Sequence, residues 1–128
     1  MKPSTIEWID KAEGDFAVAQ MAWRARKTPS YDAACFHTQQ CAEKYLKARL
    51  EEASLSIPRT HNLIVLLNQI LPIEPTWNTL AIDLNILGAY AVSYRYPGVT
   101  ATKPDAHDAI KRCRTIRRVI RLGFGLPI

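Results

Sequence analysis

Residues 31–50 read YDAACFHTQQCAEKYLKARL, and the reading of this stretch decides the fold. On a helical wheel of about 100° per residue, Tyr31, Ala34, Cys35, Thr38, Cys41, Ala42, Tyr45 and Leu46 share one broad arc. Such recurrence at three- and four-residue steps marks an amphipathic helix with one buried face. On the other side His37, Gln40, Lys44 and Lys47 follow one another as a continuous polar stripe. Gln39 falls at the margin of the apolar arc, near Leu46 and Leu50, where a buried amide needs hydrogen-bond partners. Phe36 stands among the polar residues, where an isolated helix would expose it. Ser30 can cap this helix, which is expected to run to about Glu52.

Outward from this helix, the same punctuation delimits four more. Ser4 followed by Glu7 reads as a capping box opening a first helix to about Arg26, with Trp8, Ile9, Ala12, Phe16, Ala19 and Trp23 at helical spacing. The segment KTPS, 27–30, breaks it. After the loop SLSIPR, a short third helix is expected from Thr60 through Leu71. A fourth is expected from near Thr76 to Tyr94 or Arg95, where Pro97 and Gly98 stop it. Thr102 and Asp105 form a second capping pair, and a fifth helix follows to Leu122, with Gly123 as its C-cap. There is no extended period-two alternation and no Asn-Gly or Asp-Gly turn, so strands are not expected. The expected architecture is all-α, a five-helix up-and-down bundle with a four-helix core.

The bulk properties fit this reading. A chain of 128 residues is expected to form a single domain spanning 1–128, and folding at this size buries roughly two thirds of the unfolded surface. No apolar run approaches the ~20 residues of a membrane span. The polar start MKPSTIEWIDKAEGDF does not read as a signal peptide. Cys35, Cys41 and Cys113 form no C-x-x-C pair, and on one helix Cys35 and Cys41 would lie about 9 Å apart along the axis, too far for a disulfide. Reduced thiols and a cytoplasmic location are therefore expected.

Charge and hydrophobicity are unevenly placed. From Lys111 onward there are six basic residues and no acid, whereas the preceding part holds eleven basic and twelve acidic residues. The positive excess thus sits at the C-terminal end, which suggests an anionic partner such as RNA or an acidic protein. On the fifth helix, Lys111, Arg114, Arg118 and Arg121 make a basic edge opposite Ala109, Cys113, Ile116 and Ile120. The fourth helix is apolar nearly all round: Trp77, Leu80, Leu84, Leu87, Ala91 and Tyr94 form one stripe, and Ile82, Ile86 and Ala89 add apolar surface elsewhere. A helix of that kind must be covered on most sides, and a second subunit is the expected cover, making a homodimer.

Taken in order, YDAACFHTQQCAEKYLKARL at 31–50, PRTHNLIVLL at 58–67 and SYRYPG at 93–98, with Trp8 ahead of Ala12 and Asp15 and a closing helix after VTATKPDAHDAI, give a pattern that resembles the HEPN family of small helical domains. The resemblance implies a four- or five-helix bundle, usually dimeric. It implies similarity to nucleotidyltransferase substrate-binding subunits, and it extends to members thought to bind nucleotides and to ribonuclease toxins of toxin–antitoxin pairs. The ribonuclease members carry an Arg followed four to six residues later by His. There the His acts as general acid or base at the ribose 2′-hydroxyl and the Arg holds the phosphate. Arg95 is the matching arginine here, but Tyr96, Pro97, Gly98, Val99, Thr100, Ala101 and Thr102 follow it, so that motif is not present in its usual form.

Two functions from different classes are therefore expected. The first is a binding subunit that pairs with a minimal nucleotidyltransferase, or takes nucleotide or RNA, through a groove near His37, Gln40, Lys44, Arg95 and Tyr96. A guanidinium beside an aromatic ring suits a phosphate and a base. The alternative is a metal-independent ribonuclease using Arg95 with a displaced histidine, His37, His61 or His107. No cofactor is expected: there is no Gly-rich phosphate loop and no zinc spacing, and Asp105, His107 and Asp108 suit a first helical turn better than a metal.

Overall fold

The computed structural model describes residues 1–128 and contains five α-helices and no strand. They are α1 (Pro3–Arg24), α2 (Tyr31–Glu52), α3 (Leu63–Ile70), α4 (Ala81–Ser93) and α5 (Lys103–Gly123), with a 3-10 turn, Pro75–Leu80, leading into α4.

Two helix starts are capped as the sequence indicates. The Ser30 hydroxyl accepts from the Ala33 N–H and opens α2. Thr102 and Asp105 exchange side-chain and backbone hydrogen bonds to open α5. Four boundaries differ, and one of them is the fourth helix, expected from near Thr76, which begins at Ala81 after the 3-10 turn. Helix α1 starts two residues earlier than Ser4 as its cap requires, because Pro3 takes the first helical position, where its missing N–H costs nothing. The Ser4 hydroxyl instead donates to Glu51 Oε1 at 2.7 Å, and Lys2 and Thr5 reach Glu52, so the start of α1 is tied to the end of α2. Helix α3 is capped by Asn62, whose Oδ1 accepts from Ile64 and Val65, and not by Thr60. Gly123 is the last residue of α5 and not its cap. A Cβ there would stand 2.8 Å from Trp77 Cζ2, so the indole of Trp77 requires a glycine at that place.

Tertiary pairings fix the topology. Asp15 on α1 meets His37 and Lys44 on α2, and the Ser30 N–H returns to the Ala22 carbonyl, so α1 and α2 are antiparallel. Asp32 binds the Ala101 N–H, and Tyr45 meets Arg121, so α5 runs parallel to α2. Tyr94 with Asp105, and Asp83 with Arg112, make α4 antiparallel to α5 and hence to α2. The result is the expected up-and-down bundle.

Helix α2 lies at the centre. Its Ala34, Cys35, Cys41, Tyr45, Leu46, Ala48 and Leu50 are fully buried against the other helices. Cys41 and Cys113 are buried free thiols, as is Cys35, whose pKa is pushed up to about 12, by burial first and neighbouring carboxylates second. On α4, Leu84 and Leu87 are buried, whereas Ile82 is 72% exposed and Val92 59% exposed. That outer apolar face has no cover within the chain.

Candidate functional site

The polar stripe of α2 divides into three environments. The first is a buried network. Gln40 donates to Gln39 Oε1 at 2.8 Å, and Gln39 donates in turn to Glu43 Oε1 and to the His61 carbonyl. Glu43 Oε1 also meets His61 Nδ1 at 3.0 Å, and its Oε2 accepts from Lys47 Nζ at 3.0 Å. Burial would raise the Glu43 pKa, but hydrogen bonds from Lys47, His61 and Gln39 outweigh it and hold the carboxyl below its usual range. Lys47 was expected on the outward stripe. It is buried instead, because Glu43 one turn before it supplies the counter-charge and the Trp8 ring of α1 lies 5.8 Å from its ammonium. The Gln39 amide is buried and satisfied, as the wheel required.

The second environment is the α1–α2 seam, where Asp15 accepts from Lys44 at 2.5 Å and contacts His37 Nδ1 at 2.8 Å. Lys44 is thereby held toward α1.

The third is a hollow of about 270 Å³ between the start of α2 and the end of α4. Its lining includes Asp32, Phe36, His37, Tyr94 and Arg95. Phe36 is 44% exposed and meets His37 edge-on. Tyr94 donates to Asp105 at 2.8 Å, and its pKa is raised to about 12 by that hydrogen bond first and burial second, so the phenol stays neutral and fixed.

Arg95 also lines a neighbouring hollow of about 580 Å³ between α3 and α4, together with Gln39, His61, Asn62 and Ser93. Its guanidinium makes no ion pair, unlike Arg112, Arg117 and Arg121. The expected residues are thus partly united. His37 and Arg95 share one hollow, and His61 and Arg95 share the next. Lys44 and Gln40 line neither, being engaged with Asp15 and Gln39. Tyr96 is exposed in the turn beyond α4 and lines neither. His107 lies elsewhere, stacked on Trp23 with centroids 5.0 Å apart. Glu43, which orients His61, was missed; its position four residues before Lys47 was the available signal.

The basic edge of α5 also needs correction. Arg121 was placed on it, yet it binds Glu13 Oε1 at 3.0 Å and the Tyr45 hydroxyl, while Arg117 grips both oxygens of Glu13. Arg112 is bound by Asp83 and Asp108. Half of the C-terminal cations are therefore neutralised within the bundle. No group of three or more His, Cys, Asp or Glu side chains is arranged to hold a metal, and no helix is long and apolar enough to cross a membrane.

The HEPN domain model matches residues 5–122, which span all five helices from the first turn of α1 to the end of α5. The chain belongs to the HEPN family. Among solved structures, the crystal structure of an archaeal HEPN homologue is similar at 27% identity, with a TM-score of 0.71, covering 96% of this chain and 98% of that one. No curated protein matches this HEPN chain in sequence.

Proposed function

We propose that this HEPN protein is a helical binding subunit that takes nucleotide or RNA at the Arg95 hollows and pairs with a minimal nucleotidyltransferase. The observation that carries the reading is the unpaired Arg95 guanidinium at the rim shared by two hollows, beside the exposed Phe36 ring. An unpaired guanidinium offers a phosphate paired, charge-assisted hydrogen bonds. An aromatic face beside it offers a base a stacking surface. The smaller hollow is near the lower end of ordinary ligand pockets, about 300 Å³, which suits a base or ribose and not a whole dinucleotide. Calorimetric titration with ATP, GTP and a short RNA, each at two salt concentrations, tests this. Binding that Arg95→Ala weakens about tenfold supports it, and absence of heat with all three removes it. Co-expression with a minimal nucleotidyltransferase, followed by light scattering of the eluted species, tests the pairing.

The exposed Ile82 and Val92 support self-association through α4, because nothing in the chain covers them. Two copies joined there would make the expected homodimer.

A ribonuclease reading has one observation in its favour. With Nδ1 of His61 on the buried Glu43 carboxylate, Nε2 is left for a ligand in the hollow that Arg95 also lines. A carboxylate-oriented imidazole can act as general base toward a 2′-hydroxyl. The test is cleavage of RNA in the presence of a chelator by the wild type, His61→Ala and Arg95→Ala. Cleavage by all three alike would exclude that mechanism.

A further inference from the structure

The net charge is +5, and several of the cations left over after internal pairing gather on one face. On α5, Lys103, Lys111, Arg114 and Arg118 belong to no ion pair. At about 100° per residue they fall within an arc of about 80°, together with His107. No acid of α5 falls in that arc: Asp105 and Asp108 lie on the α4 side, where Tyr94, Tyr90 and Arg112 hold them. The stripe runs about 22 Å along the helix at 1.5 Å per residue.

Helix α1 continues it. Arg114 lies with its guanidinium carbon 6.0 Å from the Phe16 ring centre, and His107 stacks on Trp23. At the N-terminal end of the stripe is a hollow of about 610 Å³, lined by Trp23, Arg24, Ala25, Arg26, Pro29, Tyr31 and Lys103. It brings three cations and two aromatic side chains together without a carboxylate, and neither Arg24 nor Arg26 has an ion-pair partner.

We propose that this α1–α5 face is a second binding surface, for the phosphate backbone of a single-stranded polynucleotide, with an unstacked base received at the Trp23 hollow. Two features decide the ligand class. A line of cations at rises of about 12, 4.5 and 6 Å along the helix, at 1.5 Å per residue, follows a chain of phosphates better than it concentrates on one small anion. The aromatic hollow at its end suits a base, which an acidic protein surface does not possess. The inference deepens the polynucleotide part of the reading above, yet rests on different residues, so the two fail separately.

The test is fluorescence anisotropy of a labelled oligouridine 12-mer and its deoxy counterpart at several salt concentrations. The proteins are the wild type, Lys111→Glu/Arg114→Glu/Arg118→Glu, and Arg95→Ala, with circular dichroism verifying the fold of each. The triple variant should bind about thirtyfold or more weakly, and its log–log salt slope should be shallower by about two, from ~0.7 per lost phosphate contact. Arg95→Ala, which removes the one phosphate contact proposed at the other site, should make that slope shallower by no more than about 0.7. Wild-type tryptophan emission should change on binding, and Trp23→Phe should abolish the change while retaining most of the affinity. A 2′-hydroxyl contact would make the RNA tighter than the DNA, and equal affinities would assign the recognition to phosphate and base alone; either supports the surface. The proposal is overturned if the folded triple variant binds like the wild type, if only Arg95→Ala weakens binding, or if polyglutamate binds as tightly as the oligonucleotide.

Discussion

Replacing Glu43 by Gln is the most informative single perturbation of the bundle. The Glu43 side chain is 5% exposed and that of Lys47 10%. One carboxylate oxygen accepts from Lys47, and the other accepts from Gln39 and meets His61 Nδ1. An amide has the same shape but a single acceptor oxygen. Whichever way it turns, its NH2 group faces either the Lys47 ammonium or the Gln39 amide, donor against donor. Removing one partner of a buried ion pair costs about 3–5 kcal/mol because the other charge is left uncompensated. Lys47 has a four-carbon stem that can extend toward solvent, which places the expected loss near the lower end, about 3 kcal/mol. Urea unfolding followed at 222 nm measures it. Lys47→Met should cost less, since Glu43 keeps Gln39 and His61, and the double variant should recover part of the loss, with a coupling of at least ~1 kcal/mol. If Glu43→Gln stays within ~1 kcal/mol of the wild type and the two changes simply add, the network contributes no stability and the reasoning is refuted.

Other consequences are measured in the same way. Leu46→Ala, at a fully buried position on α2, should cost ~2–5 kcal/mol, whereas Lys44→Ala should cost about 1 kcal/mol, because Asp15 keeps His37 as a partner. Equal losses would mean that the two faces of α2 are assigned wrongly. The carboxyls of Glu13, Glu43, Asp105 and Asp108 all have pKa values below their ordinary ones. For Glu13, burial acts upward and is outweighed by hydrogen bonds and charge from Arg117 and then Arg121. Such groups take up protons on unfolding, so their stabilisation is present above the ordinary carboxyl pKa and lost as the pH falls through the lowered values. The melting temperature should therefore be flat above about pH 5 and drop steeply below about pH 4, and Glu13→Gln should flatten that drop. If α4 is the self-association face, Ile82→Lys should shift the species seen by light scattering toward monomer without lowering helicity; an unchanged mass would exclude that face.

Much of this arrangement was legible in the sequence where the deciding interactions are local. Ser30 and the Thr102–Asp105 pair mark helix starts because their bonds close within three residues. The α2 core arc was legible because helical spacing alone selects it. What escaped reading depends on distant partners. Lys47 reads as a surface lysine until Trp8 of α1 lies over it. Arg121 reads as part of a basic edge, and Arg117 as part of the C-terminal positive excess, until Glu13, more than 100 residues away, neutralises them. Lys44 reads as a free donor until Asp15 takes it. At the site, of the groove expected near His37, Gln40, Lys44, Arg95 and Tyr96, only His37 and Arg95 line a common hollow. The link from His61 to Glu43 was not foreseen, because it depends on the loop before α3 folding back over the middle of α2.

The central claim is that a nucleotide phosphate is held by Arg95 between the His37 and His61 hollows. Titration of the isotopically labelled protein with ATP and GTP, followed residue by residue in amide NMR spectra, tests it most directly. The account predicts shifts concentrated at Phe36, His37, His61 and Ala91–Tyr96, all lost in Arg95→Ala. Shifts confined to other helices, or no shifts with either nucleotide, would contradict it.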